Sequence, residues 1–254
     1  MVICLDAGHG GKDPGAVSKS HKEKDITLKI TLKLANEIRK QGGVVILTRE
    51  DDSYVSLENR CKIANSDSLC IVFVSIHVNS STNSNASGCE FYIYNNLTSN
   101  QMLAELIQKH FIEETESKTR GIKINPDLYV LKHTLMTSIL VEVGFISNED
   151  DLEKLKDENH INKIVKGLTK GICKFSGLSY NEKDNFIENS VNSPKIYHKL
   201  NEIPSYYIDD IKDVIELNAL KGTENDDLNL SEDLLRSIVI ANRIVKKRLE
   251  LVSK

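Results

Sequence analysis

The sequence predicts an α/β fold on three observations. Apolar runs alternate with amphipathic stretches from Val2 to Ile76. Two of the runs, Val44 to Leu47 and Leu69 to Ile76, are apolar on both faces, as strands covered on both sides of a sheet are. The first run, Val2-Ile3-Cys4-Leu5, leads straight into a glycine-rich loop, Gly8-His9-Gly10-Gly11-Lys12-Asp13-Pro14-Gly15. Strand, helix, strand, helix, strand is the order that builds such a sheet.

The elements follow in turn. Ile26, Ile30, Leu34 and Ile38 recur every four residues with Ala35 beside them, which predicts an amphipathic helix with Asp25 as N-cap and Gly42-Gly43 as its stop. Val44 to Leu47 is a buried strand. Ser56 to Asp67 is a second helix through Leu57, Cys61 and Ala64. Leu69 to Ile76 is a strand that runs into His77-Val78-Asn79 and a polar loop ending at Gly88. Cys89 to Tyr94 is a further strand. Met102, Leu103, Leu106, Ile107 and Phe111 predict a helix over about 99–117. Arg120-Gly121 and Asn125-Pro126 mark a loop, and Leu128 to Leu131 a short strand. Ile139 to Phe145 is an apolar run with a single acid, Glu142, inside it. Helices over 149–156 and 161–175 close the domain.

Residues 1–176 thus read as one domain. Apolar density falls over 177–194, where Asn, Ser, Glu and Lys take over as in a linker. Residues 195–254 read as a small, mainly helical module. Its two helices, Tyr206 to Leu217 and Ser231 to Leu251, are joined by Lys221-Gly222-Thr223-Glu224-Asn225-Asp226-Asp227, and Leu235, Ile238 and Val239 lie on one face of the second. A tail this short has little core of its own, which suits an appended module or an element for homo-oligomer formation.

Composition narrows the function. Of 254 residues 40% are hydrophobic, enough for an ordinary core, and the net charge of −4 comes from interspersed acids and bases. No basic run offers a surface for nucleic acid or membrane. No stretch is apolar for long enough to span a bilayer. The N-terminal run lacks the basic start and long apolar centre of a secretory signal, so synthesis in the cytoplasm is expected. Five scattered cysteines, none in a C-x-x-C pair, suit reduced core residues.

The glycine loop fits neither phosphate-binding template: G-x-G-x-x-G would need glycine at Asp13, and a P-loop would need Lys-Ser/Thr after its last glycine. Its histidine suggests other chemistry. Ligands of open α/β sheets lie at the carboxyl ends of the strands. His9 follows one strand, His77 ends another, and Glu142 lies near the end of a third. Each has a structural alternative: a loop histidine, a core histidine, a buried acid paired by a cation. Glu23, just before the first helix, is a third candidate and competes there with His21; His133 is placed to line the cleft. Two histidines and a carboxylate make a catalytic zinc set, which leaves a fourth position open, with a further carboxylate as general base.

At these residues the chain resembles a known family. Leu5-Asp6-Ala7-Gly8-His9-Gly10-Gly11-Lys12-Asp13-Pro14-Gly15-Ala16, Glu23-Lys24, Arg60 with Asn65, Ser75-Ile76-His77-Val78-Asn79, Val130-Leu131 and Leu140-Val141-Glu142-Val143-Gly144-Phe145-Ile146-Ser147-Asn148 closely resemble the zinc-dependent N-acetylmuramoyl-L-alanine amidases of the amidase-3 family. They fall in family order across residues 1–176. Thr137, often proline there, and Cys89, usually aliphatic, depart from the pattern as packing changes. The resemblance implies a twisted mixed sheet flanked by helices and hydrolysis of the amide between the muramic acid lactyl group and L-alanine of the peptidoglycan stem. It further implies Zn2+ held by His9, Glu23 and His77, Glu142 as the catalytic carboxylate, and Asn79 and His133 beside the substrate. Phage endolysins released by holins, and mother-cell amidases of spore formers freed by lysis, are similar in arrangement.

The tail resembles part of a surface-layer-homology repeat, through Ile211 to Leu217, Leu220-Lys221-Gly222-Thr223, Leu228-Asn229-Leu230 and a helix carrying Arg236. That resemblance implies a hold on wall polysaccharide; a helical hairpin or dimerisation element fits the same residues. Two other classes stand against the amidase: a zinc peptidase or carboxypeptidase acting on stem peptides with the same ligands, and a non-catalytic wall-binding protein, for which the metal set would be broken.

Overall fold

A computed structural model of the chain describes residues 1–181, 196–203, 205–216, 228, 230–231 and 238. The chain divides into two compact units, Met1–Asn185 and Phe186–Lys254. The first is built on six strands and six helices: β1 (Val2–Ala7), α1 (Glu23–Lys40), β4 (Val44–Leu47), α2 (Leu57–Asn65), β5 (Cys70–Asn79), β6 (Cys89–Ile93), α3 (Thr98–Thr115), β7 (Thr119–Ile124), α4 (Tyr129–His133), β8 (Thr137–Phe145), α5 (Glu149–Lys156) and α6 (Glu158–Ser176). A two-stranded hairpin, β2 (Val17–Ser18) with β3 (His21–Lys22), leads into α1.

The main sheet has the order β4-β1-β5-β8-β6-β7. Strands β4, β1, β5 and β8 are mutually parallel, β6 is antiparallel to β8, and β7 is parallel to β6. The sheet is therefore mixed and mostly parallel, and helices flank it. Side chains that alternate along each strand feed two cores. On one face Ile3, Leu5, Val72, Val74, Ile76, Ile139, Val141 and Phe91 pack under α1, α3, α5 and α6. On the other, Val2, Cys4, Phe73 and Leu140 meet Cys61 and Ala64 of α2 and Val130 and Leu131 of α4. All five cysteines are free and buried. No helix among the described residues is long and apolar enough to cross a membrane.

Four local expectations change. Helix α1 starts at Glu23, so Asp25 is not its N-cap; the first N–H groups are met by loop carbonyls instead, Glu23 N–H donating to Ala16 O and Lys24 N–H to Pro14 O. That leaves the Glu23 side chain free to turn inward. The loop through Arg120-Gly121 is strand β7, which lies at the sheet edge and whose polar TRGIKI sequence carries little apolar alternation. Leu128 to Leu131 falls in a short helix, α4, because so short an apolar run does not distinguish strand from helix. Strand β5 extends through His77 to Asn79 by pairing with β8.

The second unit has its own apolar cluster of Tyr197, Ile203, Ile211 and Leu230, with Leu200, Ile208, Ile215, Leu228 and Ile238 against it. Strands β9 (Ile196–Tyr197) and β10 (Leu230–Ser231) pair antiparallel, and α7 (Ser205–Glu216) corresponds to the first expected tail helix. Of the second, expected from Ser231 to Leu251, Ser231 is in β10; Leu235, Arg236, Val239 and the rest beyond Ile238 lie outside the described residues, as do Leu217, Leu220 and the turn Lys221 to Asp227. Most of the expected linker, 182–194, lies outside them too.

Candidate metal centre

The site forms where β1, β5 and β8 end. Ala7 pairs with Ile76 and His77 with Glu142, so the parallel register delivers the glycine loop, His77 and Glu142 to one sheet edge. His9 sits in the loop at φ 62, a left-handed conformation that a non-glycine residue adopts rarely. Two buried arginines hold that conformation. Arg60 donates from Nη1 to Asp6 Oδ1 and Ala7 O, each at 2.6 Å, and from Nη2 to His9 O at 2.6 Å. Arg49 donates from Nε to Ala7 O and from Nη2 to Gly8 O, both at 2.9 Å. Asp6 also accepts from Thr48 and Ser75, each at 2.6 Å.

His9, Glu23 and His77 converge. One donor atom from each lies within 4.8 Å of the others, the one such group of three among the described residues. Glu23 Oε2 is 3.1 Å from His9 Nε2, and Glu23 Oε1 is 3.0 Å from His77 Nδ1. The Ala16 and Val78 N–H groups each donate to this carboxylate at 2.9 Å, which fixes its plane. His9 Nδ1 lies 2.9 Å from Asp13 Oδ2, so the ring is oriented from behind as metal-binding imidazoles usually are. The two rings meet edge to face, with centroids 5.0 Å apart. His21 lies in the hairpin before α1 and outside this group.

The charges reflect the packing. Burial pushes Glu23 toward neutrality, but hydrogen bonds from His77 and His9 outweigh it and hold the carboxyl well below the usual range. Burial lowers the proton affinity of His9, yet Glu23 and then Asp13 raise its pKa to about 8. Glu142 is the opposite case. Burial, reinforced by the charges of Glu23 and Glu90, pushes it up to about 7 against the pull of His77. Its Oε2 is buried without a hydrogen-bond partner.

The glycines make room for this cluster. A Cβ on Gly8 would lie 2.5 Å from the His77 ring, and one on Gly15 would lie 2.6 Å from Glu23 Oε2 and 2.7 Å from His9 Cδ2. The remaining expected site residues are placed differently. Asn79 donates from Nδ2 to Glu90 Oε2 at 3.0 Å, one strand beyond Glu142. His133 ends α4, stacked on Tyr129 at 3.9 Å with its Nδ1 2.9 Å from Tyr129 O, and is not drawn into the cluster. Sequence reasoning missed Arg49, Glu90 and Lys123 and took Arg120 for a loop residue. Arg49 left a trace as a cation two residues after an apolar strand, and Glu90 as a single acid inside the Cys89 to Tyr94 run.

Parallel strands that bring two imidazoles and a carboxylate to one edge, with an unpartnered second carboxylate beside them, define an α/β protein with the ligand types of a metal-dependent hydrolase. The chain belongs to the N-acetylmuramoyl-L-alanine amidase family, whose model matches residues 3–174. It is 30% identical over 188 residues to the germination-specific N-acetylmuramoyl-L-alanine amidase of Bacillus subtilis (strain 168), covering 68% of this chain and 79% of that one. It is 34% identical over 183 residues to the endolysin of Bacillus phage SPP1, covering 70% and 66%. The solved catalytic domain of CwlV, an N-acetylmuramoyl-L-alanine amidase from Bacillus (Paenibacillus) polymyxa var. colistinus, superposes with a TM-score of 0.66 at 35% identity, covering 70% of this chain and 99% of that one.

Proposed function

We propose that this chain hydrolyses the amide between the lactyl group of N-acetylmuramic acid and L-alanine of the peptidoglycan stem, with His9, Glu23 and His77 holding zinc and Glu142 as the catalytic carboxylate. The observation that carries the reading is the convergence of the three donor atoms within 4.8 Å, with Glu142 the register neighbour of His77. The donor set fits the ion: two nitrogens and one carboxylate oxygen, without cysteine, leave a coordination position open. The space fits as well, because glycines stand where any Cβ would press on all three ligands.

When bound, zinc supplies Lewis acidity, making water acidic near neutral pH and polarising a carbonyl oxygen. The chain's own residues do the rest. Glu23, braced by two backbone N–H groups, keeps both imidazoles turned inward. Glu142 accepts a proton from the attacking water as the oxygen bonds to the carbonyl carbon. It then delivers that proton to the alanine nitrogen, so that the C–N bond breaks to a carboxyl and a free amine. A buried carboxyl raised to about 7 suits both halves of this cycle. Asn79, on the same strand as His77, and His133, at the end of α4, are the residues assigned to contact substrate.

The test is digestion of purified peptidoglycan by zinc-loaded protein, with and without chelator, followed by identification of new termini. Free alanine amino groups and lactyl carboxyls support the reading; cut peptide cross-links or released single amino acids point to a peptidase and overturn it. We further propose that residues 195–254, which resemble part of a surface-layer-homology repeat and have an apolar cluster of their own, hold wall polysaccharide. Sedimentation of the full chain and of residues 1–185 with isolated walls compares the two.

A further inference from the structure

Beyond Glu142 the sheet carries a row of charge. His77 on β5 pairs with Glu142 on β8, and Glu142 pairs with Glu90 on β6. Between Cys89 and Phe91 the register with β7 slips: Cys89 faces Thr119 and Phe91 faces Ile122, so Arg120 and Gly121 both oppose Glu90. Such a bulge re-aims a side chain, and here it brings Arg120 back over the row. Arg120 Nε donates to Glu90 Oε1 at 2.5 Å and Lys123 Nζ approaches the same oxygen at 2.7 Å. Tyr92 and Asn79 donate to the other oxygen, at 2.5 and 3.0 Å.

Glu90 is 2% exposed, and one cation would neutralise it. It has two, and both reach solvent, with side chains 36% and 37% exposed. The group therefore shows one net positive charge to the sheet face that Glu142 shares. Among the described residues Arg120 makes no hydrogen bond except through Nε; its guanidinium also lies 5.2 Å from the centroid of the Phe145 ring, three residues after Glu142.

We infer that Arg120 and Lys123 form a subsite for a carboxylate on the peptide side of the substrate. The inference rests on the amidase reading, which sets the direction: Glu142 must reach the leaving nitrogen, so the peptide departs on the side of Glu142 away from the histidines, over β6 and β7. The glycan is neutral there, whereas the residue after alanine in a peptidoglycan stem is a glutamate joined through its side chain, with its α-carboxyl group free. Two extended residues span about 7 Å. Two strand spacings, from Glu142 to Arg120, are about 9.6 Å. The arginine and lysine side chains cover the difference.

Two muramyl peptides test this, identical except that the second stem residue bears an α-carboxylate in one and a carboxamide in the other. Wild-type protein is expected to favour the carboxylate about tenfold, through KM, as one charge-assisted hydrogen bond allows. Lys123→Gln and Arg120→Gln should each bring that preference close to one by raising KM for the carboxylate substrate alone. Arg120→Gln also strips a partner from buried Glu90; Lys123→Gln, checked for unchanged melting temperature and zinc content, keeps the test open if Arg120→Gln fails to fold. Calorimetry adds a readout without turnover: the alanyl-glutamate product should bind Lys123→Gln about tenfold more weakly than wild type. If wild type does not discriminate, or Lys123→Gln weakens both substrates equally, the subsite is wrong although the amidase stands. If neither substrate yields a free alanine amino group, the amidase reading fails and takes the subsite with it.

Discussion

Glu142 and Glu90 face each other on adjacent antiparallel strands, yet only Glu90 has cations. Hydrogen bonds from Lys123, Tyr92 and Arg120 overcome the burial of Glu90 and hold it below the usual carboxylate range, while burial lifts Glu142 to about 7. Two neighbouring carboxyls are thus driven apart in proton affinity: Glu90 stays a fixed anion, and Glu142 is the one able to take up and give back a proton near neutral pH. Glu142→Gln should abolish release of stem peptides while the protein still binds one zinc, which metal analysis after dialysis would show. Wild-type turnover by this variant rules out Glu142 as the proton carrier.

In the metal-free protein the same carboxyl costs stability once ionised. Its folded pKa is raised, so its contribution is fully present below the unfolded value of 4.5 and lost as pH rises through about 7. Glu142→Gln should therefore match wild type near pH 4 and exceed it at pH 8, by up to roughly 3 kcal/mol. Urea denaturation of both proteins at the two pH values, in chelator, measures this.

Zinc binding should weaken in acid. His9 must be neutral to ligate, and Glu23 and Asp13 keep it protonated to about pH 8 in the metal-free state. Apparent affinity is expected to fall by up to tenfold per pH unit for each imidazole that must first lose a proton, His77 included, since its contact with Glu23 outweighs its burial and raises its pKa too; competition with a metal-sensitive dye reads the fall. His9→Ala and His77→Ala should both lose zinc on dialysis.

The left-handed backbone of His9 depends on charges buried behind it. Asp6 lies below the usual carboxylate range because Arg60, Ser75 and Thr48 outweigh its burial, so its contribution is present above about pH 4 and fades as pH falls. Asp6→Asn leaves Arg60 buried without its anion and should cost about 3–5 kcal/mol at pH 7. Loss of zinc affinity should accompany it, because Arg60 also holds His9 O. Denaturation curves at pH 7 and pH 3.5, where the gap narrows, test both points.

Glycine substitutions separate space from flexibility. Gly15→Ala places a methyl group 2.6 Å from Glu23 Oε2 at φ +65, and Gly42→Ala places one in open space at φ +81. Both should lose about 1–2 kcal/mol from the left-handed backbone. Only Gly15→Ala should also lose zinc and activity.

Much of the fold was legible because local periodicity is a local signal. The four-residue spacing of Ile26, Ile30, Leu34 and Ile38 marked α1, and the two-sided apolar runs marked β4 and β5 as strands, although only β5 is interior: β4 is a half-buried edge strand, paired on one side alone. Glu142 stood out as one acid in an apolar strand, and His9 as one imidazole among glycines. Strand β7 and helix α4 were misread because each is short and weakly patterned; β7 is a strand through its pairing with β6 rather than through its own residues.

The sequence by itself determined the α/β class, the strand-end positions of His9, His77 and Glu142, and, through its family motifs, the chemistry to expect of them. Tertiary structure decided which groups meet. Glu23 rather than His21 turns toward both imidazoles because loop carbonyls cap α1 three residues before the expected start. Arg60 reaches Asp6 across 54 residues of chain, and Arg120 reaches Glu90 across 30. Spacing along the chain records period and turn, whereas register between strands is set by the packing of the whole sheet, and it is register that places Glu90 and Arg120 in line with Glu142.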